Sequence, residues 1–282
     1  MRIEKAYFWP IWFYHDLTVK KPLINRSTLL LLGRANLDLW KALNIYDDFL
    51  DKEGCPSDLP DGNRSYRHFL AAYYELHLPP SFYIWFHKIL DGVDEANQNE
   101  TRHCRAMITK NKIDYPIRLP VWRNMERLAD KSLALALGPI ALLYISGLAK
   151  KQNNVRATLD FFRLALSAKQ LADDAGDWQE DLEKGRLTPA NSLVIKAARK
   201  RNLTLDVKRD SLTAHLLFAT EASGPIARQI SKLCRQARVA ARHARLQPDG
   251  QLIKGLIRPL ETAVEKAEEF RRMLASDSIK ML

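Results

Sequence analysis

Apolar residues recur along most of this chain at steps of three and four, the spacing that gathers side chains onto one face of an α-helix. Leu29, Leu32, Leu39, Trp40, Leu43 and Tyr46 follow it and predict one helix over 27–51, stopped by Lys52-Glu53-Gly54-Cys55-Pro56. A loop is expected over 58–63, where Pro60 and Gly62 fall, then a helix over 66–78 ending at Pro79-Pro80. Ser81 is placed to cap the next helix, which carries Tyr83, Phe86, Ile89, Leu90 and Val93. The polar stretch 95–105 continues that helix or leads out of it, and 110–120, with two prolines, reads as a connection. Helix is expected again over 122–149 with a kink at Gly138-Pro139, and over 155–183. After the break at Gly185-Arg186-Leu187-Thr188-Pro189, helices over 190–200, 210–222, 225–246 and 256–274 complete the set. Strict polar/apolar alternation is scarce, and no repeat or long linker interrupts the chain. The expectation is an all-α protein with one helical domain over 1–282.

Composition agrees with that class. The 282 residues are 46% hydrophobic and include only 11 glycines, which suits a helical protein with a sizeable core. Cys55, Cys104 and Cys234 are odd in number and widely spaced, so neither disulfides nor a zinc pattern is expected and a cytoplasmic setting is. The N-terminus has no signal-peptide pattern. The run 132–149 lacks charged residues, but it contains Gly138-Pro139 and is short for a bilayer span, so it reads as a buried core helix. Gly138 and Gly147 read as points of close helix packing.

Charge adds a second layer. The formal net charge is +11, and much of the excess sits at Arg228, Lys232, Arg235, Arg238, Arg242 and Arg245. This reads first as a solvated helix face. A phosphorylated substrate, or peripheral contact with an anionic membrane, would also suit it, and no nucleic acid is expected.

Two acidic clusters stand out. Asp47 and Asp51 share a helix face with Asp48 beside them, while Asp173, Asp177 and Asp181 form a stripe with Asp174 next to its first member. Like charges in such rows weaken their own helices, so a metal or a basic residue is expected to offset them. Facing each other across a cavity, these carboxylates would hold magnesium, and magnesium would hold a diphosphate. The ions would neutralise charge growing on the leaving group as the carbon–oxygen bond breaks. Lys131 and Arg127, four apart on one helix, are the first basic candidates for the diphosphate, followed by Arg123, Lys169 and Arg186. Tyr46, Phe49, Tyr83, Phe86, Phe161 and Phe162 are placed either to line an aromatic pocket for a carbocation or to fill the core. His77, His87, His103 and His215 have no ligand-like spacing.

At these residues the chain resembles the class I isoprenoid synthases: prenyl diphosphate synthases, squalene/phytoene synthases and class I terpene synthases. Asn44-Ile45-Tyr46-Asp47-Asp48-Phe49-Leu50-Asp51 looks like their first aspartate-rich motif. Gln170-Leu171-Ala172-Asp173-Asp174-Ala175-Gly176-Asp177 looks like the second in its prenyltransferase form, and Lys131-Ser132-Leu133 looks like the helix whose lysine touches diphosphate. The likeness runs over roughly residues 28 to 200. It implies a helical bundle with a central active-site cavity, often a homodimer. It also implies three magnesium ions with substrate bound, Asp47, Asp48, Asp51, Asp173 and Asp177 as metal ligands, and Lys131 on the diphosphate of a prenyl substrate.

The departures from that pattern divide the readings. Elongating enzymes of the family usually carry a glycine-lysine-arginine motif upstream and paired arginines soon after the first aspartates. Here Gly33-Arg34 is a poor substitute, Asp51 is followed by Lys52-Glu53-Gly54-Cys55, and Gly92-Val93-Asp94 lacks the family's glutamine. Only 46 residues precede Asp47, which suggests that one or two bundle helices are missing or come from another chain. The aromatic segment from Tyr7 to Tyr14 is placed to cover the cavity, or to meet a membrane or a partner. Three roles follow: a terpene synthase-like diphosphate lyase, a prenyltransferase that elongates or condenses, and a non-catalytic partner subunit of such an enzyme.

Overall fold

The computed structural model describes residues 4–20, 23–109, 112–114, 116, 118–122, 124–150, 152–203, 205 and 212–280. Helix dominates them. In chain order the helices are α1 (Glu4–Asp16), α2 (Arg26–Leu50), α3 (Leu59–Glu75) and α4 (Pro80–His103), then α5 (Leu137–Ile145), α6 (Gln152–Gly176) and α7 (Trp178–Glu183). They continue as α8 (Pro189–Lys200), α9 (Leu212–Leu217), α10 (Ser223–His243) and α11 (Arg258–Lys280). A short antiparallel hairpin, β1 (Met107–Thr109) with β2 (Lys112–Asp114), lies where the sequence suggested a plain connection.

The chain divides into two compact units. The first comprises Met1–Asn97, Ala129–Leu166 and Gln236–Ile257. Its α2 begins at Asn25, whose side chain accepts from the Thr28 amide at 2.7 Å, and buries Leu29, Leu32, Ala35, Asn36, Leu39 and Ala42. Helix α2 packs against both α1 and α3. The N-terminal aromatic segment divides: Trp9 and Phe13 are fully buried and pack on Phe162 of α6, while Phe8 is 39% exposed and stacks on Trp12. A second aromatic cluster, Phe69, Tyr73, Phe82 and Phe86, joins α3 to α4. The buried Asp16 carboxylate accepts from the amides of Gln251 and Leu252 at 3.0 and 2.8 Å, tying α1 to the segment before α11.

Several expectations are corrected here. Residues 59–63 are the first turn of α3, because Pro60 sits where a missing N–H matters least and Gly62 lets the helix approach Ile45 and Tyr46 closely. Helix α4 starts at Pro80, so Ser81 is not its cap, and the Ser81 carbonyl accepts from the Tyr144 hydroxyl instead. The stretch 122–149 is not one kinked α-helix: Met125–Ala136 is a 3₁₀-helix that passes into α5 at Leu137. Gly138 is a packing point, since a Cβ there would lie 2.6 Å from Pro10 Cγ. Gly147 is not one: it has open space around it and takes φ +70 in a turn. The stretch Met125–Ile145 is long and apolar enough to cross a membrane, but 67% of its span-like window is buried inside the protein, as the core reading expected.

The second unit comprises Gln98–Leu128, Ser167–Arg235 and Arg258–Leu282. Its α7 packs Trp178 flat against Phe218, with the ring of His215 edge-on. Thr188 caps α8 by accepting from the Asn191 amide at 3.3 Å, and Pro189 fills the first helical position.

The two glycine environments give a direct test of packing. Gly138→Ala forces a methyl group against Pro10 and is expected to destabilise by about 1–3 kcal/mol. Gly92→Ala, at a helical site with nothing within 4 Å, is expected to stabilise by up to about 1 kcal/mol through helix propensity. Urea unfolding of both variants measures the contrast, and equal effects would contradict it.

Candidate active site

Each acidic cluster belongs to a different unit. In the first, α2 delivers Asp47 and Asp48 in its last turn and ends at Asp51, the C-cap. Three carboxylates at a helix C-terminus oppose both one another and the negative end of the helix dipole. The backbone holds them in place. The Asp47 carbonyl accepts from the Asp51 amide at 2.9 Å, and the Asp48 carbonyl accepts from Glu53 and Gly54 at 2.8 and 2.9 Å. Lys52 takes φ 63 to close this turn, and Gly54 presses on the Phe49 ring, where a Cβ would lie 2.6 Å away.

The offsetting charge comes from far away in sequence. Lys131 Nζ donates to Asp47 Oδ1 at 2.6 Å across 84 positions, with side chains 26% and 44% exposed. At that exposure solvent screens the pair, so its value lies in placement more than in stability. Tyr46 and Phe49 flank the cluster, half-buried, with the Tyr46 hydroxyl donating to Asn63 at 2.9 Å. Lys131 stands on the 3₁₀-helix, where residues three apart align. The spacing of four from exposed Arg127 therefore does not give the shared face that an α-helix would. Arg123 lies outside the described residues.

In the second unit, α6 carries Lys169, Gln170, Asp173 and Asp174 in its last two turns and ends at Gly176. The expected single helix through 183 is broken at Asp177. The Asp177 and Asp181 amides still reach back to Asp173 and Asp177, both at 2.9 Å, so α7 follows almost in register. Lys169 pairs with the exposed Asp173, and Arg186 with the buried Asp181 at 3.4 Å. Arg186 is held by its amide to the Asp181 carbonyl, 2.7 Å, and by a bridge to Arg105.

Asp174 differs from its neighbours. It is 6% exposed and accepts from Gln170 Nε2 at 2.9 Å. Burial pushes its carboxyl up to about 7, with the nearby Asp181, Asp173 and Glu100 adding to the rise and the Gln170 hydrogen bond opposing it. Glu100, which also pairs with Arg105 at 3.2 Å, is a member of this acidic group that no motif indicated. Its only sequence signal was a place in the polar stretch at the end of α4.

The aromatic candidates divide. Phe86, Phe161 and Phe162 are core, Tyr83 donates to the Tyr73 carbonyl, and Tyr46 and Phe49 stay beside the first aspartates. Among the described residues, no three His, Cys, Asp or Glu side chains gather closely enough to hold a metal ion alone. Magnesium binds through one or two carboxylates completed by water and phosphate oxygens. The oxygen-only donors at Asp47, Asp48, Asp51, Asp173 and Asp177 fit such an ion.

Asp174 predicts a pH dependence of stability. Its folded value lies above the ordinary 3.8, so between about pH 4 and 7 the folded chain keeps a proton the unfolded chain has released. Stability should fall as pH rises through that window, by at most about 4 kcal/mol. Asp174→Asn cannot ionise. Without magnesium it should match the parent protein near pH 4 and melt several degrees higher at pH 8; parallel melting curves would contradict the assignment.

No family model matches the sequence, and no curated protein does. Among solved structures, the chain is similar to a Corynebacterium glutamicum protein provisionally assigned as a geranylgeranyl pyrophosphate synthase. The TM-score is 0.59 at 14% identity, over 94% of this chain and 83% of that one. Likeness at that identity speaks for the fold: the chain has the all-helical isoprenoid synthase fold.

Proposed function

We propose that the protein ionises an allylic prenyl diphosphate with magnesium and releases diphosphate, the carbocation then closing a ring or losing a proton. The observation that carries this reading is the Lys131–Asp47 pair. Folding brings a long, flexible cation to the first aspartate cluster, where a diphosphate would need both magnesium and a direct donor. Magnesium at Asp47, Asp48, Asp51, Asp173 and Asp177 would supply the neutralising charge for the departing group. Lys131 donates to a diphosphate oxygen, and Lys169 and Arg186 hold further positive charge beside the second cluster. Tyr46 and Phe49 offer aromatic faces next to the first cluster, of the kind that stabilise a cation.

A second reading is chain elongation with an isopentenyl diphosphate acceptor. Two observations favour it: the assignment of the similar Corynebacterium protein, and the Gln170–Asp174 hydrogen bond, which joins the glutamine and aspartate of the prenyltransferase-form motif. Against it, Arg64, the first arginine after Asp51, is committed at the surface to Asp61 at 3.0 Å.

Product analysis separates the two. Magnesium with geranyl, farnesyl or geranylgeranyl diphosphate alone should give a hydrocarbon or alcohol; a longer diphosphate formed only with isopentenyl diphosphate would establish elongation instead. Asp47→Asn with Asp48→Asn should cut magnesium-dependent diphosphate release by about 100-fold or more while the far-UV circular dichroism stays unchanged. Lys131→Ala should raise KM by about tenfold with little change in melting temperature. Unaltered turnover in both variants would overturn the site.

A further inference from the structure

A pocket of about 610 Å³ lies wholly within the second unit, and none of the aspartates discussed above lines it. One face of α8 forms much of its wall. Pro189, Ser192, Leu193, Lys196 and Arg199 follow the three-and-four spacing that puts them on one side of the helix. Chemistry changes along that face: apolar at Pro189 and Leu193, cationic at Lys196 and Arg199, over about 15 Å of helix at 1.5 Å per residue. Trp122, Leu171 and Ile226 add further apolar lining.

Polar groups at the Pro189 end of that face are already engaged, since Trp122 Nε1 donates to Ser192 Oγ at 3.1 Å. At the other end Arg199 is anchored by donating to the Pro116 carbonyl at 2.8 Å, which fixes its charge at the rim. Among the described residues the wall contains no Asp or Glu, so an anion there would be held by cations directly and not through a metal. Trp122 and Leu193 are only half-buried, and Val121 is 71% exposed. A concavity of this size with some apolar surface open to water has room for a small ligand.

We propose that this pocket binds a single-chain lipid phosphate, with its chain between Trp122, Leu171, Leu193 and Ile226 and its phosphate on Lys196 and Arg199, without magnesium. Isoprenoid and straight-chain alkyl phosphates share that chemistry. The binding uses no aspartate and therefore stands independently of the reaction proposed above.

Isothermal titration of the full chain in EDTA, with farnesyl monophosphate and with dodecyl phosphate, tests it. Saturable binding is expected, weakened about tenfold or more by Lys196→Glu and lost in Leu193→Trp, which fills the apolar end. It should survive Asp47→Asn with Asp48→Asn, and farnesol should bind more weakly than its phosphate. Preference for the farnesyl ligand would identify an isoprenoid source, and preference for dodecyl phosphate an acyl-type one. Absence of binding, or binding unchanged in both pocket variants, would overturn the proposal. So would binding that requires magnesium and disappears with the aspartates; the ligand would then sit at the acidic clusters, and the catalytic reading would be untouched.

Discussion

Carboxylate repulsion is the constraint around which both acidic regions are built. Three aspartates at the end of α2 face one another and the negative pole of their own helix, and a chain that offered nothing in return would fray there. The first unit returns a lysine from 84 positions away and a turn that locks the Asp47 and Asp48 carbonyls. In the second unit the same problem has several local answers. Lys169 lies one turn from Asp173, Arg186 folds back on Asp181, and Asp174 is buried so that its carboxyl resists ionising. A divalent cation would relieve what charge remains, which links the strain in these helices to the chemistry proposed for them.

Such a site needs a stiff support, and the first unit has one. Trp9, Phe13 and Phe162 form a dry aromatic seam, while Gly138 lets α5 approach the Pro10 ring of α1. The Asn36 amide reaches the Leu135 carbonyl at 2.9 Å, tying α2 to the end of the 3₁₀-helix that carries Lys131. The 3₁₀-helix that carries the lysine is therefore held by a buried contact several residues away from it.

The two sites proposed in the second unit would hold a phosphate in different ways. One is a row of oxygens that demands a metal, and the other a pair of cations at the end of an apolar wall. They share α6, through Asp173 and Asp174 on one hand and Leu171 on the other. The contrast follows from what water competes for: a bare cation attracts a phosphate directly, whereas a carboxylate can do so only through an ion of opposite sign.

Helix content, the position of α2, and the two aspartate clusters were legible along the chain because 3.6-residue periodicity and like-charge spacing are local properties. Local signals also failed in recognisable places. Pro60 and Gly62 suggested a loop, yet tertiary contact with α2 made them the start of α3; an unbroken apolar run hid the 3₁₀ geometry around Lys131. The N-terminal aromatics read alike along the chain, and packing divided them, with Trp9 and Phe13 in the core and Phe8 left exposed. Sequence alone singled out the aspartates and Lys131 as candidates for magnesium and diphosphate. Only the tertiary structure decided that Lys131 meets Asp47, that Glu100 joins Asp174, and that α8 lines an apolar pocket. Those contacts join residues far apart in the chain, and their energies depend on burial and distance, which no one-dimensional pattern encodes.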